Sequence, residues 1–134
     1  MKHVFYIFST LGILMACNHP NKEIKALIIN SDSVAVNYFK GDGTMDTVVA
    51  VKITRDKQKI VQLATFISER SVEANYKCGY DGSLHFFKMN KVIQDIDFRM
   101  NADGCMYFYF LQYGKPGATA LSQEAKELII SFRK

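Results

Sequence analysis

Two hydrophobic periods alternate along this chain of 134 residues. After an apolar stretch from Val4 to Ala16 and a polar break from Asn18 to Lys22, the runs "KALIIN", "SVAVNYFK" and "TVVAVKIT" are rich in β-branched and aromatic side chains. Ser31-Asp32 and the "GDG" at Gly41 to Gly43 separate them, so they predict strands, the second and third forming a hairpin. From Asp56 the period lengthens. Ile60, Leu63, Ala64 and Ile67 recur at helical spacing, which predicts a helix running from an Asp56 cap to near Arg70. The runs "SLHFFKM", "KVIQDIDFRM" and "CMYFYFLQY" then predict an antiparallel meander, turning at Asn90-Lys91 and at Asn101 to Gly104. "YGKPGA" reads as a further turn, and Ser122 caps a last helix whose apolar stripe is Ala125, Leu128, Ile129 and Phe132.

This order and its short links predict an α+β fold: an antiparallel sheet of about five to six strands with two helices packed on one face. In the middle meander strand, Val92, Gln94, Ile96, Phe98 and Met100 point one way, while Ile93, Asp95, Asp97 and Arg99 point the other. In the last, Tyr107, Tyr109 and Tyr113 alternate with Met106, Phe108 and Phe110. Both faces of that strand carry large side chains, and alternation alone does not say which one meets the helices.

The stretch from Val4 to Ala16 is shorter than the roughly 20 apolar residues of a spanning helix. With Lys2 and His3 before it and a small residue at its end, it reads as a secretory leader. Its last residues, Leu14-Met15-Ala16-Cys17, resemble the lipobox of bacterial lipoproteins: Leu first, a small residue before the cysteine, and then the cysteine itself. Met15 departs from the small or polar residues commoner at that position. The resemblance covers the leader alone. It implies that residues 1–16 are a cleaved signal peptide, that Cys17 is the lipid attachment site and new N-terminus, that residues 17–23 form a lipidated tether, and that residues 24–134 form one α+β domain at a membrane surface. More than one acyl chain on Cys17 gives stable anchoring without a spanning helix. Asn18 stands where enteric lipoproteins retained at the inner membrane carry Asp, so the same resemblance favours the outer membrane within the cell envelope. The stretch "KCGYDGSLHFFKMNKVIQDIDFRMNADGC" is similar to one in small uncharacterised bacterial lipoproteins. It covers roughly a quarter of the chain and implies no activity.

Cleavage before Cys17 leaves 134 − 16 = 118 residues, enough for one domain with its own core. The formal net charge of +4 drops by one with Lys2, and the remaining basic residues alternate with acidic ones, so no nucleic-acid footprint is present. Once Cys17 is assigned to lipid, Cys78 and Cys105 remain as a pair in an exported chain. They are expected to form a disulfide, two buried free thiols being the alternative; no C-x-x-C spacing points to redox chemistry.

Candidate chemistry is sparse. His19 falls in the tether, which leaves His85 with Asp81 nearby. Cys78, Asp81 and His85 match no common zinc spacing, so neither metal nor cofactor is expected, and His85 reads as a half-buried strand residue. Asp95 and Asp97 share a face with Arg99, which is expected to neutralise them. Asp42, Thr44 and Asp46 resemble a calcium loop but lack its closing Glu. No G-x-S-x-G, P-loop or dinucleotide fingerprint occurs. The expectation is a lipid-anchored, non-catalytic binding or interaction module for an envelope protein, peptide or glycan, with Tyr107, Tyr109 and Tyr113 as the candidate partner surface. An inhibitor or immunity-type protein is a special case of that reading. Its rival is a small hydrolase or metal-dependent enzyme built around His85 and Asp81.

Overall fold

The first element among the described residues is a helix where the sequence predicts a tether and a strand. A computed structural model of the chain describes residues 20–42, 45, 47–74 and 76–134. Helix α1 (Pro20–Ile28) has Pro at its first position, Glu23 in its first turn, and Ile24 and Ile28 one turn apart, both fully buried. The consecutive apolar residues Leu27, Ile28 and Ile29 imitate a strand, but the i, i+4 pair decides the outcome because it seats one helical face on the core. Pro20 to Glu23, placed in the tether by the sequence, are thus the first turn of α1. Asn21 fixes that turn, its Nδ2 donating to the Glu69 carbonyl and to Ser71 Oγ, both at 2.8 Å. Cys17, Asn18 and His19 lie outside the described residues.

The strands β1 (Ser33–Phe39) and β2 (Val48–Thr54) form the expected hairpin, and α2 (Lys57–Ile67) follows. Asp56 Oδ1 accepts from the N–H groups of Gln58 and Lys59 at 2.9 and 3.4 Å, which is the predicted cap. The helix stops at Ile67, three residues before the expected end at Arg70. The meander is β3 (Gly82–Lys88), β4 (Lys91–Arg99) and β5 (Tyr107–Gln112). Beyond it, "KPGATA" is a strand, β6 (Lys115–Ala120), where the sequence predicts only a turn. The turn itself is Tyr113-Gly114, both at positive φ, a tight two-residue hairpin. Pro116 and Gly117 obscure the strand signal. Proline is tolerated because β6 is an edge, and Gly117 is needed because a Cβ there would stand 2.6 Å from the Phe110 ring. Helix α3 (Gln123–Ser131) closes the chain, capped by Ser122 as predicted.

The six strands form one antiparallel sheet in the order β2-β1-β3-β4-β5-β6. The α+β class holds, with three α-helices among the described residues where two were expected. One face carries Val34, Val36, Tyr38, Leu84, Phe86, Ile96, Phe98, Phe108 and Phe110, all buried against apolar residues of α1, α2 and α3. The phenylalanine side of β5 is therefore the core side. Tyr38 ties β1 to α3, its hydroxyl donating to the Ile129 carbonyl, and burial pushes its pKa up to about 12. In β4 the predicted alternation holds from Ile96 onward. A bulge at Phe86/Phe87 interrupts the register before it, so Ile93 packs on the core and Val92 is exposed.

Candidate functional site

Among the described residues no α-helix covers the other face of the sheet, part of which lies beneath Tyr80. Cross-strand pairing places Val51, Asn37, Ser83, Asp97, Tyr109 and Ala118 in one row, and Ile53, Ala35, His85 and Asp95 in the next. A polar band along β1, β3 and β4 thus lies between an apolar edge on β2 and Tyr109 with Leu111 on β5.

His85 sits at the centre of that band. Its Nδ1 lies 2.6 Å from Asp95 Oδ1, and its Nε2 lies 3.0 Å from both Asn37 Nδ2 and Ser83 Oγ. With the proton on Nδ1 donated to Asp95, Nε2 offers one lone pair to two donors, the Asn37 amide and the Ser83 hydroxyl. Ser83, His85 and Asp95 therefore stand in the contact order of a nucleophile, base and orienting acid. Other features weaken that comparison. Ser83 is only 5% exposed, and Asn37 competes for the nitrogen that would take its proton. β3 is paired on both sides, so its backbone N–H groups serve the sheet ladder.

Asp81 is not His85's partner. It stands four residues away on the same strand path, about 13 Å at extended spacing. Its Oδ1 accepts from Arg99 Nη1 at 2.7 Å, and its Oδ2 accepts from the Met100 and Asn101 N–H groups at 2.7 and 3.0 Å. This corrects the expected role of Arg99, which turns to Asp81 instead of neutralising Asp95 and Asp97. Gly82, next along, lets the strand pass close to its neighbours: a Cβ there would meet the Asn37 carbonyl oxygen at 2.2 Å and the Phe98 ring at 2.4 Å.

With Arg99 engaged elsewhere, Asp97 faces Asp95 without a cationic arginine. Burial first, and then the charge of Asp95, push the Asp97 carboxyl above its ordinary range, against the opposing pull of His85. A carboxyl whose pKa is higher folded than unfolded lowers stability once the pH exceeds the unfolded value, and the penalty grows until the pH passes the folded value. Asp97→Asn is therefore expected to stabilise the protein at pH 7 and to have little effect below the ordinary value of 3.8. Urea unfolding of both proteins at the two pH values checks this; a destabilising effect at pH 7 contradicts it.

Beside Asp97 the sheet parts. The β4–β5 ladder runs from Arg99↔Tyr107 to Ile96↔Phe110 and stops, and Gln94 Nε2 spans the gap by donating to the Leu111 carbonyl at 3.0 Å. The cleft that results, about 330 Å³, is lined by Val92, Ile93, Gln94, Asp95, Asp97, Tyr109, Phe110 and Leu111. The sequence carries no signal for it beyond the two aspartates, because a bulge and the end of a ladder are products of pairing.

The predicted tyrosines divide among three environments. Tyr107 is buried and Tyr109 half-buried, both beneath Tyr80, whose ring lies 6.2 Å edge-on from Tyr107 and 5.8 Å in stacked geometry from Tyr109. Tyr113 stands apart in the β5–β6 turn and is 90% exposed. Of the three, only Tyr109 reaches the cleft. Tyr80, which covers Tyr107 and Tyr109, follows closely on Cys78, which pairs with Cys105: their sulfurs are within bonding distance and their Cα atoms are 6.1 Å apart. Among the described residues no group of three or more His, Cys, Asp or Glu side chains is placed to hold a metal ion. Of the calcium-like residues, Asp42 lies 3.3 Å from Lys40 Nζ, while Thr44 and Asp46 fall outside the described residues.

Compared with protein-family models, with curated proteins and with solved structures, the chain shows no significant match.

Proposed function

We propose that this chain is a lipoprotein of the bacterial cell envelope, anchored through lipid on Cys17, that binds a partner on the helix-free face of its sheet without catalysis. The observation that carries the binding reading is the cleft where β4 leaves β5, open on that face and flanked by Asp95, Asp97, Tyr109 and Leu111. Apolar walls with a few fixed polar groups are the usual composition of a recognition surface. The anchoring reading rests on Leu14 to Cys17 and on the leader before them. Among the described residues no helix is long and apolar enough to cross a membrane. The partner classes remain an envelope protein, a peptide or a glycan, with inhibition or immunity as one way of using such a surface, and Asn18 favours the outer membrane as its place.

Site-specific photo-crosslinking in growing cells tests the surface. A photoreactive residue at Leu111 is expected to give a discrete adduct that the same residue at Thr65, exposed on α2, does not. Identical adducts from both positions, or none from Leu111, would count against this face.

The contact order Ser83–His85–Asp95 favours one second reading, a small hydrolase, with Asp95 in the place expected for Asp81. A serine-directed fluorophosphonate separates the two. The hydrolase requires labelling of Ser83 that is lost in His85→Ala, whereas the binding module requires none.

A further inference from the structure

We propose that β2 is a self-association edge, at which two copies of this chain join their sheets through antiparallel pairing of β2 with β2. The two edges of the sheet are treated differently by the chain. Along β6 the segment after α2 closes the edge: Ala120 N–H donates to the Arg70 carbonyl at 2.8 Å, Val72 N–H donates to the Ala118 carbonyl at 3.0 Å, and Ser71 bridges Thr119. The outer side of β2 has no such cover among the described residues, and β2 is the sheet's other terminal strand. Open edges are ordinarily blunted by charge, proline or distortion. The strand "VVAVKIT" has no proline and one charge, its one distortion is the register shift beside Val49 at its start, and Val48, Val49, Val51 and Ile53 are between 46 and 62% exposed.

The second copy follows from matching the strand against itself. A two-fold axis perpendicular to the sheet keeps each residue opposite one on the same face, so the axis must pass through a residue. Passing through Lys52, it opposes two lysines, which is unfavourable. Passing through Ile53, it sets Val51 against Arg55. Passing through Val51, it sets Val51 against Val51 on the open face and Lys52 against Ala50, brings Ile53 to the bulged Val48–Ala50 end of the other strand, and opposes no like charges. A centre at Ala50 or before places the irregularity beside Val49, where Tyr38 pairs with Ala50 and Phe39 with Val48, next to the axis; of the centres in the regular part of the strand, Val51 is the one that opposes neither two lysines nor an apolar residue and an arginine. The Val51-centred pairing continues the sheet across two copies and leaves both helix-free faces on the same side, whatever those faces bind.

The test uses the full chain in detergent micelles. Val51→Cys is expected to form a disulfide-linked dimer under mild oxidation roughly tenfold or more faster than Thr65→Cys, because pairing holds the two thiols together at high effective concentration and at strand-pair distance. The parent chain, run alongside, accounts for any cross-linking through Cys17. Sedimentation is expected to show a dimer for the parent and a monomer for Val51→Lys, whose circular dichroism should be unchanged because the site is exposed. The proposal is overturned if Val51→Cys cross-links no faster than Thr65→Cys, if Ile53→Cys outpaces it, if the parent is monomeric throughout the accessible concentration range, or if Val51→Lys remains dimeric.

Discussion

Replacing Asp81 by Ala is expected to lower the stability of the fold by about 3 to 5 kcal/mol, the usual cost of removing one partner of a buried ion pair. Asp81 is 4% exposed, and the Arg99 side chain that it pairs with is 13% exposed. The carboxylate occupies both its oxygens with Arg99, Met100 and Asn101, and the Asp81 backbone joins three strands: its N–H donates to the Phe98 carbonyl at 2.8 Å and its carbonyl accepts from Phe39 N–H at 2.8 Å. Removal leaves a largely buried guanidinium, its Nε already lacking a partner, and two backbone N–H groups without their carboxylate acceptor. Asp81→Asn keeps an acceptor for the backbone and should cost less. Urea unfolding at neutral pH measures both, and a loss below about 1 kcal/mol for Asp81→Ala would contradict this account of the ion pair. The same result bears on function, since a loss of activity in an Asp81 variant would report unfolding before it reported chemistry.

The double replacement Cys78→Ser/Cys105→Ser is expected to lower stability by about 3.5 kcal/mol in the chain-entropy model, from a closed loop spanning 27 positions. At roughly 4 °C per kcal/mol this corresponds to a fall in Tm of about 15 °C. The local consequence is more specific. The bridge pins the segment from Tyr76 to Asp81 over the open face, where Tyr80 covers Tyr107 and Tyr109. Without it, Tyr107 and Tyr109 should become reactive towards tetranitromethane while Tyr113, already exposed, changes little. Thermal unfolding and peptide mapping of the nitrated protein read both effects. A Tm within a few degrees of the parent, or an unchanged nitration pattern, would show that packing of the tyrosines alone holds the clamp.

These two positions also mark the boundary of what the sequence makes legible. Cys78 and Cys105 are readable because the number and spacing of cysteines are properties of the chain. So are the Asp56 and Ser122 caps and the stripe from Ile60 to Ile67, which depend on residues a few positions apart. Helix α1 is misread because its apolar residues are few and adjacent, and the i, i+4 pair Ile24 and Ile28 gains its meaning from burial against the core. Strand β6 is hidden by Pro116, which an edge strand tolerates, and by Gly117, which the Phe110 ring makes necessary. At the candidate site, His85 and both aspartates are visible as residue types on one face, but partner choice is not. Arg99 lies two residues from Asp97 and pairs with Asp81, because the pairing of Gly82 with Phe98 sets the residue before β3 beside it. The cleft is further still from the sequence, since it exists only where a ladder ends.

The measurement that tests the central claim most directly is the mass of the N-terminal peptide of the protein, expressed with residues 1–16 in a bacterium that processes lipoproteins and recovered from its membranes. The account predicts a chain that begins at Cys17, with its sulfur carrying diacylglycerol and the peptide heavier by the corresponding acyl masses. A chain that begins elsewhere, or a Cys17 whose thiol is free to be alkylated, would contradict it.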